Sequence, residues 1–226
     1  MNNFLKKYSN LLKGIFSFIL FFSSAYIQQL LVIVLNIKKI TVKNAIVISF
    51  LSSLIIACIL ILIYRKDLMK EWKIYKQNFF KNMDIGFKYW FIGLICMMIS
   101  NFIISFLLNA SQATNEQMVQ KMISAMPYLL IISAGIIAPI NEEILFRKVF
   151  KDNIKNKIIC ILVSGILFGY MHVTSATTIP QFLYIIPYSS LGIAFAVMYS
   201  KTDSVFTSMS MHMFHNTILT ILSIIM

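Results

Sequence analysis

Charge is scarce in this chain of 226 residues: 12% of the side chains are charged, and the acidic residues number eight against 20 Lys and Arg. Gly and Pro are also few, seven and four, so long apolar runs pass without interruption, and no Ser-rich, acidic or repeated tract marks a linker or a solenoid. The three cysteines are odd in number, lie inside apolar runs and lack metal-ligand spacing, which argues against a disulfide framework or a thiolate metal site and for thiols buried as small hydrophobes. What the chain has in abundance is hydrophobicity, at 59% of residues. A soluble domain of this size could not hide that much apolar surface from water, so the solvent is lipid and the fold is all-α. The net charge of +12 does not indicate nucleic acid, because Lys and Arg fall in short segments between apolar runs and line no amphipathic face.

Seven uncharged stretches approach or reach the roughly 20 residues that cross a bilayer. They run over Gly14 to Ile37, Asn44 to Tyr64, Tyr89 to Asn109, Met122 to Ile140, Ile158 to Val173, Gln181 to Tyr199 and Val205 to Met226. The expectation is a polytopic transmembrane helix bundle of about seven spans, forming one integral membrane domain. Within it, residues 1–110 supply N-terminal helices with a basic cytoplasmic linker, and residues 111–226 supply a C-terminal core. With the N-terminus in the cytoplasm and the C-terminus outside, 16 of the 20 basic residues are cytoplasmic, as the positive-inside rule requires. The first run also has features of a signal peptide, but it continues past Ser23-Ser24-Ala25 to Asn36. The linker Arg65 to Lys88 interleaves lysines with Trp72, Tyr75, Phe79 and Phe80, a pattern open to either an interfacial helix or a solvated loop. The polar segment Asn109 to Lys121 suits an external loop.

The chemistry is concentrated in a few residues that lipid rejects. Asn141, Glu142, Glu143 and Arg147 end the fourth run, His172 ends the fifth, and His212, His215 and Asn216 lie in the seventh. A charge at mid-bilayer costs roughly 2.5–3.5 kcal/mol on insertion scales, so such groups face a bundle interior or a wet cavity. Glu143 and Arg147, four apart on a helix, are set to pair. Glu142 points about 100° away, toward a different neighbour, and is left free to act as a base. Pro139 either kinks the span or starts a new helix. Gly165 and Gly169 give the fifth helix a small-residue face for close approach. His212 and Asn216 share a face, and His215 either shares their cavity or flanks it. Glu142 and His172 are equidistant from Lys157 in sequence, so a hairpin turning near Asn156-Lys157, with the motif helix running through Lys151, would set them level.

In these residues the chain resembles the CAAX prenyl protease and bacteriocin-processing family of intramembrane peptidases, also called the CPBP or Abi family. Its EExxxR pattern stands here as Glu142-Glu143-Ile-Leu-Phe-Arg147, FxxxH as Phe168-Gly-Tyr-Met-His172, and HxxxN as His212-Met-Phe-His-Asn216. The first hundred residues match only as generic membrane helices. The resemblance implies hydrolysis of a peptide bond in a membrane-associated peptide or protein, with Glu142 and His172 activating water, His212 and Asn216 steadying the oxyanion, and Glu143 and Arg147 positioning the site. It leaves zinc open: His172, His212 and Glu142 are the candidate ligands if a metal is bound, no HExxH occurs, and a metal-free glutamate mechanism fits the motifs equally. Three other readings stand beside the enzymatic one. They are a polar clasp between helices, a proton- or ion-coupled transporter, and an immunity or scaffold protein that keeps the fold without turnover.

Overall fold

A computed structural model describes residues 3–108 and 113–225. Among the described residues every regular element is helical: α1 (Asn3–Phe22), α2 (Ser24–Val34), α3 (Val42–Gln77), α4 (Phe79–Leu108), α5 (Thr114–Ala125), the motif helix α6 (Pro127–Asn153), α7 (Lys157–Met171), a short α8 (Ile179–Phe182), α9 (Ile185–Thr202) and α10 (Val205–Ile225). The boundaries follow local chemistry. Thr41 accepts the Asn44 N–H at 3.2 Å to start α3, and Pro127 sits at the first position of α6, where a missing N–H costs nothing. Asn156 accepts the N–H groups of Ile158 and Ile159 at 3.0 and 3.1 Å to start α7. Asp203, at φ 51°, takes the left-handed conformation that ends α9. The turn between α6 and α7 is therefore residues 154–156, with α6 running past Lys151, as the sequence predicts.

Each of the seven apolar runs is mainly helical among its described residues, but fewer are simple spans. Four helices are long and apolar enough to cross a bilayer: Val42–Gln77, Phe79–Phe106, Pro127–Asn153 and Ile179–Thr202. The first run becomes a fifth only as a bent pair, α1 and α2 meeting at 53° near Ser23. Helix α7 has 15 residues, about 22 Å of rise against a core of about 30 Å. Helix α10 has the length, but its own polar residues, His212, His215 and Asn216, dilute its apolar character. The basic linker is neither a loop nor a separate interfacial element: α3 continues to Gln77 and α4 begins at Phe79. At 36 residues, α3 is about 54 Å long and overshoots the hydrocarbon layer. The expected external loop also contains helix, since Thr114 to Lys121 belongs to α5. Residues 109–112, with the proposed 110/111 boundary, lie outside the described residues. Cys58 and Cys96 are free and exposed on the outer faces of their helices, not buried as predicted, while Cys160 is half-buried. In lipid an outward-facing apolar thiol needs no internal pocket.

Two features set the relative positions of the helices. The first is small-residue packing. A Cβ on Gly165 would lie 2.7 Å from the Ile193 backbone nitrogen, and one on Gly192 would lie 2.7 Å from the Gly165 carbonyl oxygen, so α7 and α9 touch backbone to backbone. The second is Glu71, in the overshooting part of α3. Its carboxylate accepts the Tyr199 hydroxyl at 2.7 Å and the Val205 N–H at 2.8 Å, and lies 3.2 Å from Lys148 Nζ. One side chain thereby joins α3 to α6 and α9 and caps α10 from another helix, where the helix dipole favours negative charge. Lys148 also meets Asp152 at 2.6 Å. Below this layer Ile56, Leu60, Tyr64, Ile144, Val149 and Val205 form an apolar core.

Gly165→Val is expected to force α7 from α9 and cost about 1–3 kcal/mol or more, because the obstruction is backbone and cannot rotate away. Glu71→Ala is expected to cost about 1–3 kcal/mol by leaving the buried Tyr199 hydroxyl and Val205 N–H without their acceptor, Lys148 keeping Asp152, with Glu71→Gln recovering part of the loss. Melting temperatures in detergent check both, and an unchanged value for either variant would refute the corresponding assignment.

Candidate active site

The motif helix α6 is not a uniform α-helix. It contains two π-turns, Ser133–Ile137 and Ile144–Lys148, in which the Ala138 N–H reaches back to the Ser133 carbonyl and the Val149 N–H to the Ile144 carbonyl. The first turn is coupled to Pro139. With Ala138 committed to Ser133, the next donor for the Ala134 carbonyl would be residue 139, which is proline and has no N–H. Asn216 of α10 supplies the missing donor, its Nδ2 lying 2.9 Å from the Ala134 oxygen. The predicted irregularity at Pro139 is therefore real, and it fastens the HxxxN motif to the motif helix.

The second motif residue on α10, His212, is 2% exposed and sits between the two carboxylates. Glu143 Oε1 is 3.0 Å from His212 Nδ1, and Glu142 Oε2 is 3.6 Å from Nε2. Glu143 also pairs with Arg147, Oε2 to Nε at 3.3 Å, both side chains fully buried; that contact is out of line for a hydrogen bond. Glu142 does not face a separate neighbour as predicted. Adjacent residues about 100° apart on a helix can straddle one imidazole, because its two nitrogens lie on different edges of the ring. The charge logic follows from the partners. With Arg147 beside it, Glu143 is an ionised acceptor, so His212 Nδ1 carries a hydrogen. Nε2 then faces the Glu142 carboxylate at 3.6 Å, close but not hydrogen-bonded to it.

Arg147 is anchored further by Nη1, which donates to Ser164 Oγ at 2.8 Å on α7. Its guanidinium lies 4.8 Å from the centre of the Phe168 ring. Phe168, the first residue of FxxxH, also stands edge-on to His212 at 5.5 Å, while Phe195 of α9 stacks on His212 at 4.7 Å. His172 caps the end of α7. Its Nδ1 is 2.9 Å from the Phe168 carbonyl; a carbonyl only accepts, so the proton is on Nδ1 and Nε2 keeps its lone pair. Tyr188 stacks on this ring at 4.6 Å.

A cavity of about 410 Å3 is lined by His172, His212, His215 and Asn216 together with Tyr188 and Phe195. His215 thus borders the same cavity as His212, and Trp90 Nε1 on α4 donates to its Nδ1 at 3.3 Å. Glu142 is not among the residues that line the cavity, but it lies against His212, which does, and its side chain keeps 19% exposure. Asn141, the other polar residue flagged at this point of the chain, turns away and donates to the Ser53 carbonyl of α3 at 3.0 Å. The contacts of Trp90 and Glu71 were not legible in the sequence, since His215 lies 125 residues from Trp90 and the hydrogen-bond partners Tyr199 and Val205 lie 128 and 134 from Glu71.

The candidate zinc ligands do not assemble. Among the described residues no three His, Cys, Asp or Glu side chains are grouped so as to hold a metal. The reason is visible in the pairings: His212 presents its nitrogens to two carboxylates, and His172 commits Nδ1 to a backbone carbonyl.

Residues 124–218 match the family described as type II CAAX prenyl endopeptidase, Rce1-like. The UPF0177 protein YxdF of Lactococcus lactis is 28% identical over 152 residues, covering 62% of this chain and 80% of that protein. A protein of Bacillus subtilis named "Putative membrane peptidase YdiL" is 24% identical over 182 residues, covering 79% of this chain and 70% of that one. No solved structure matches the chain. Its apolar helices and these relatives make it a multi-pass membrane protein. The matched residues 124–218 carry all three motifs, so the similarity to the Rce1-like type II CAAX prenyl endopeptidases falls on the same segment as the resemblance read from those motifs.

Proposed function

We infer that this chain is an intramembrane endopeptidase that hydrolyses a peptide bond of a membrane-associated peptide or protein, with Glu142 as the general base. The observation that carries the reading is the contrast between two neighbouring carboxylates. Glu143 is tied to Arg147 and His212, whereas Glu142 Oε2 is buried with no hydrogen-bond partner and faces only His212 Nε2. One carboxylate holds the site together and the other is free to take a proton.

In the reaction, a water molecule donates one hydrogen bond toward the lone pair of His172 Nε2 and gives a proton to Glu142 as its oxygen attacks the scissile carbonyl carbon. Negative charge develops on the carbonyl oxygen, beside His212 and the second N–H of the Asn216 amide, whose first N–H is used by Ala134. The carbon–nitrogen bond then breaks. The leaving amine takes the proton that Glu142 accepted, and the carboxylic acid and amine exchange the remaining proton to leave as carboxylate and ammonium. Phe195 and Tyr188, stacked on the two imidazoles, keep the rings in place and restrict bulk water. We place the N-terminus in the cytoplasm; contacts such as Lys148 with Glu71, Lys151 with Asp203 and Asn10 with the Asp152 carbonyl gather the basic segments at one end of the bundle, in support of that orientation.

Glu142→Gln is expected to lower cleavage of a lipid-anchored peptide library at least ~100-fold, read by mass spectrometry, with little change in melting temperature. Glu143→Gln should behave differently. It leaves Arg147 buried without a counter-charge and is expected to lose about 3–5 kcal/mol of stability along with activity. Full turnover by the Glu142 variant would remove it as the base.

A further inference from the structure

Arg147 has a second side. Its Nη1 and Nε face Ser164 and Glu143, but Nη2 is buried without any hydrogen-bond partner, in a residue that is 1% exposed. An orphaned guanidinium N–H in a bundle interior leaves a substantial desolvation cost standing. Arg147 and Ser164 also line a pocket of about 180 Å3 distinct from the cavity of the proposed active site, and Lys151, Lys155, Lys157 and Asp203 line it too. Lys155 and Lys157 are exposed, so the pocket leads from the surface of the basic end of the bundle inward to Arg147.

The charge balance of this pocket is one-sided. Lys151 is neutralised by Asp203 at 2.8 Å and lies over the Tyr199 ring at 3.8 Å, and Arg147 is balanced by Glu143. Lys155 and Lys157 have no carboxylate partner among the described residues. The pocket also runs beside the first turns of α7, whose N-terminus adds partial positive charge. Its volume is several times the roughly 30 Å3 share of one water, room for a tetrahedral anion and the first atoms attached to it.

We propose that this pocket binds a phosphate group, presented by the headgroup of an anionic phospholipid, with Lys155 and Lys157 at its mouth and Arg147 at its inner end. A guanidinium suits phosphate because its planar N–H groups match the oxygen spacing, and basic pockets between helices at the cytoplasmic surface are where such headgroups lodge. Because the same guanidinium holds Glu143 on its other side, occupancy of the pocket bears on the carboxylate cluster. The proposal does not rest on the peptidase reading.

The test is native mass spectrometry of the full chain in detergent, titrated separately with phosphatidylglycerol, phosphatidylcholine and inorganic phosphate. Wild type is compared with K155Q/K157Q and with a control, K38Q/K39Q, whose two exposed lysines lie outside the pocket. The expected result is one saturable phosphatidylglycerol, retained roughly tenfold or more weakly by K155Q/K157Q and unchanged in the control. Phosphatidylcholine should show no such dependence. Inorganic phosphate binding with the same dependence on Lys155 and Lys157, and without lipid selectivity, would support the anion site and make free phosphate its source. Equal retention of both lipids without phosphate binding, or equal weakening in the two double variants, would overturn the proposal.

Discussion

A carboxylate with no exposure to solvent governs this structure. Glu143 lies inside an apolar bundle, where an unpaired charge would cost several kcal/mol even after relaxation, and it is tolerated because Arg147 and His212 both reach it. Those two partners bring two further helices with them. Arg147 carries the network to Ser164 on α7, and His212 belongs to α10. The helices that bear the three motifs are therefore joined through one buried ion, and the positions of Phe168, His172 and Asn216 follow from how those helices must lie to satisfy it.

Backbone irregularity does the second part of this work. A regular helix through Pro139 would leave carbonyls without donors in a region where water cannot substitute. The π-turn at Ser133–Ile137 commits Ala138 to Ser133 and leaves the Ala134 carbonyl for Asn216. A structural demand of α6 and a motif residue of α10 thereby meet in one hydrogen bond. Asn216 has two N–H groups, so meeting that demand still leaves one directed elsewhere. The same economy holds for His172, whose hydrogen bond to the Phe168 carbonyl both ends α7 and determines which nitrogen keeps its lone pair.

The parts of the molecule that were legible in the sequence are those with short-range signatures. Spacing alone suggested the Glu143–Arg147 pair, the break at Pro139, the close face of Gly165 and Gly169, and the turn before Lys157, because each depends on neighbours within one or two turns of helix. Convergence of the three motifs came from the family resemblance. What stayed hidden depends on distant partners. Glu71 stood among lysines in a segment that looked like a linker, yet its partners are Lys148, Tyr199 and Val205; no local pattern marks a residue that caps a helix begun over 130 positions later. The count of seven spans was approximate for a related reason. Hydropathy alone cannot register a bend at Ser23, a helix as short as α7, or one such as α10 whose polar residues belong to the site.

The division of labour between Glu142 and Glu143 explains why two adjacent carboxylates can coexist where one is already costly. Two ions side by side in low dielectric would repel by more than either could recover from a neutral neighbour. Here one imidazole stands between them, Arg147 balances Glu143, and Glu142 keeps 19% side-chain exposure where Glu143 has none. Arg147 cannot give up a proton and Glu143 is paired with it, which leaves Glu142 as the carboxylate of the pair without a fixed cation. In the mechanism we propose, that carboxylate, set against an imidazole that borders the cavity, accepts a proton from water and returns it to the leaving group without any charged group having to leave the bundle.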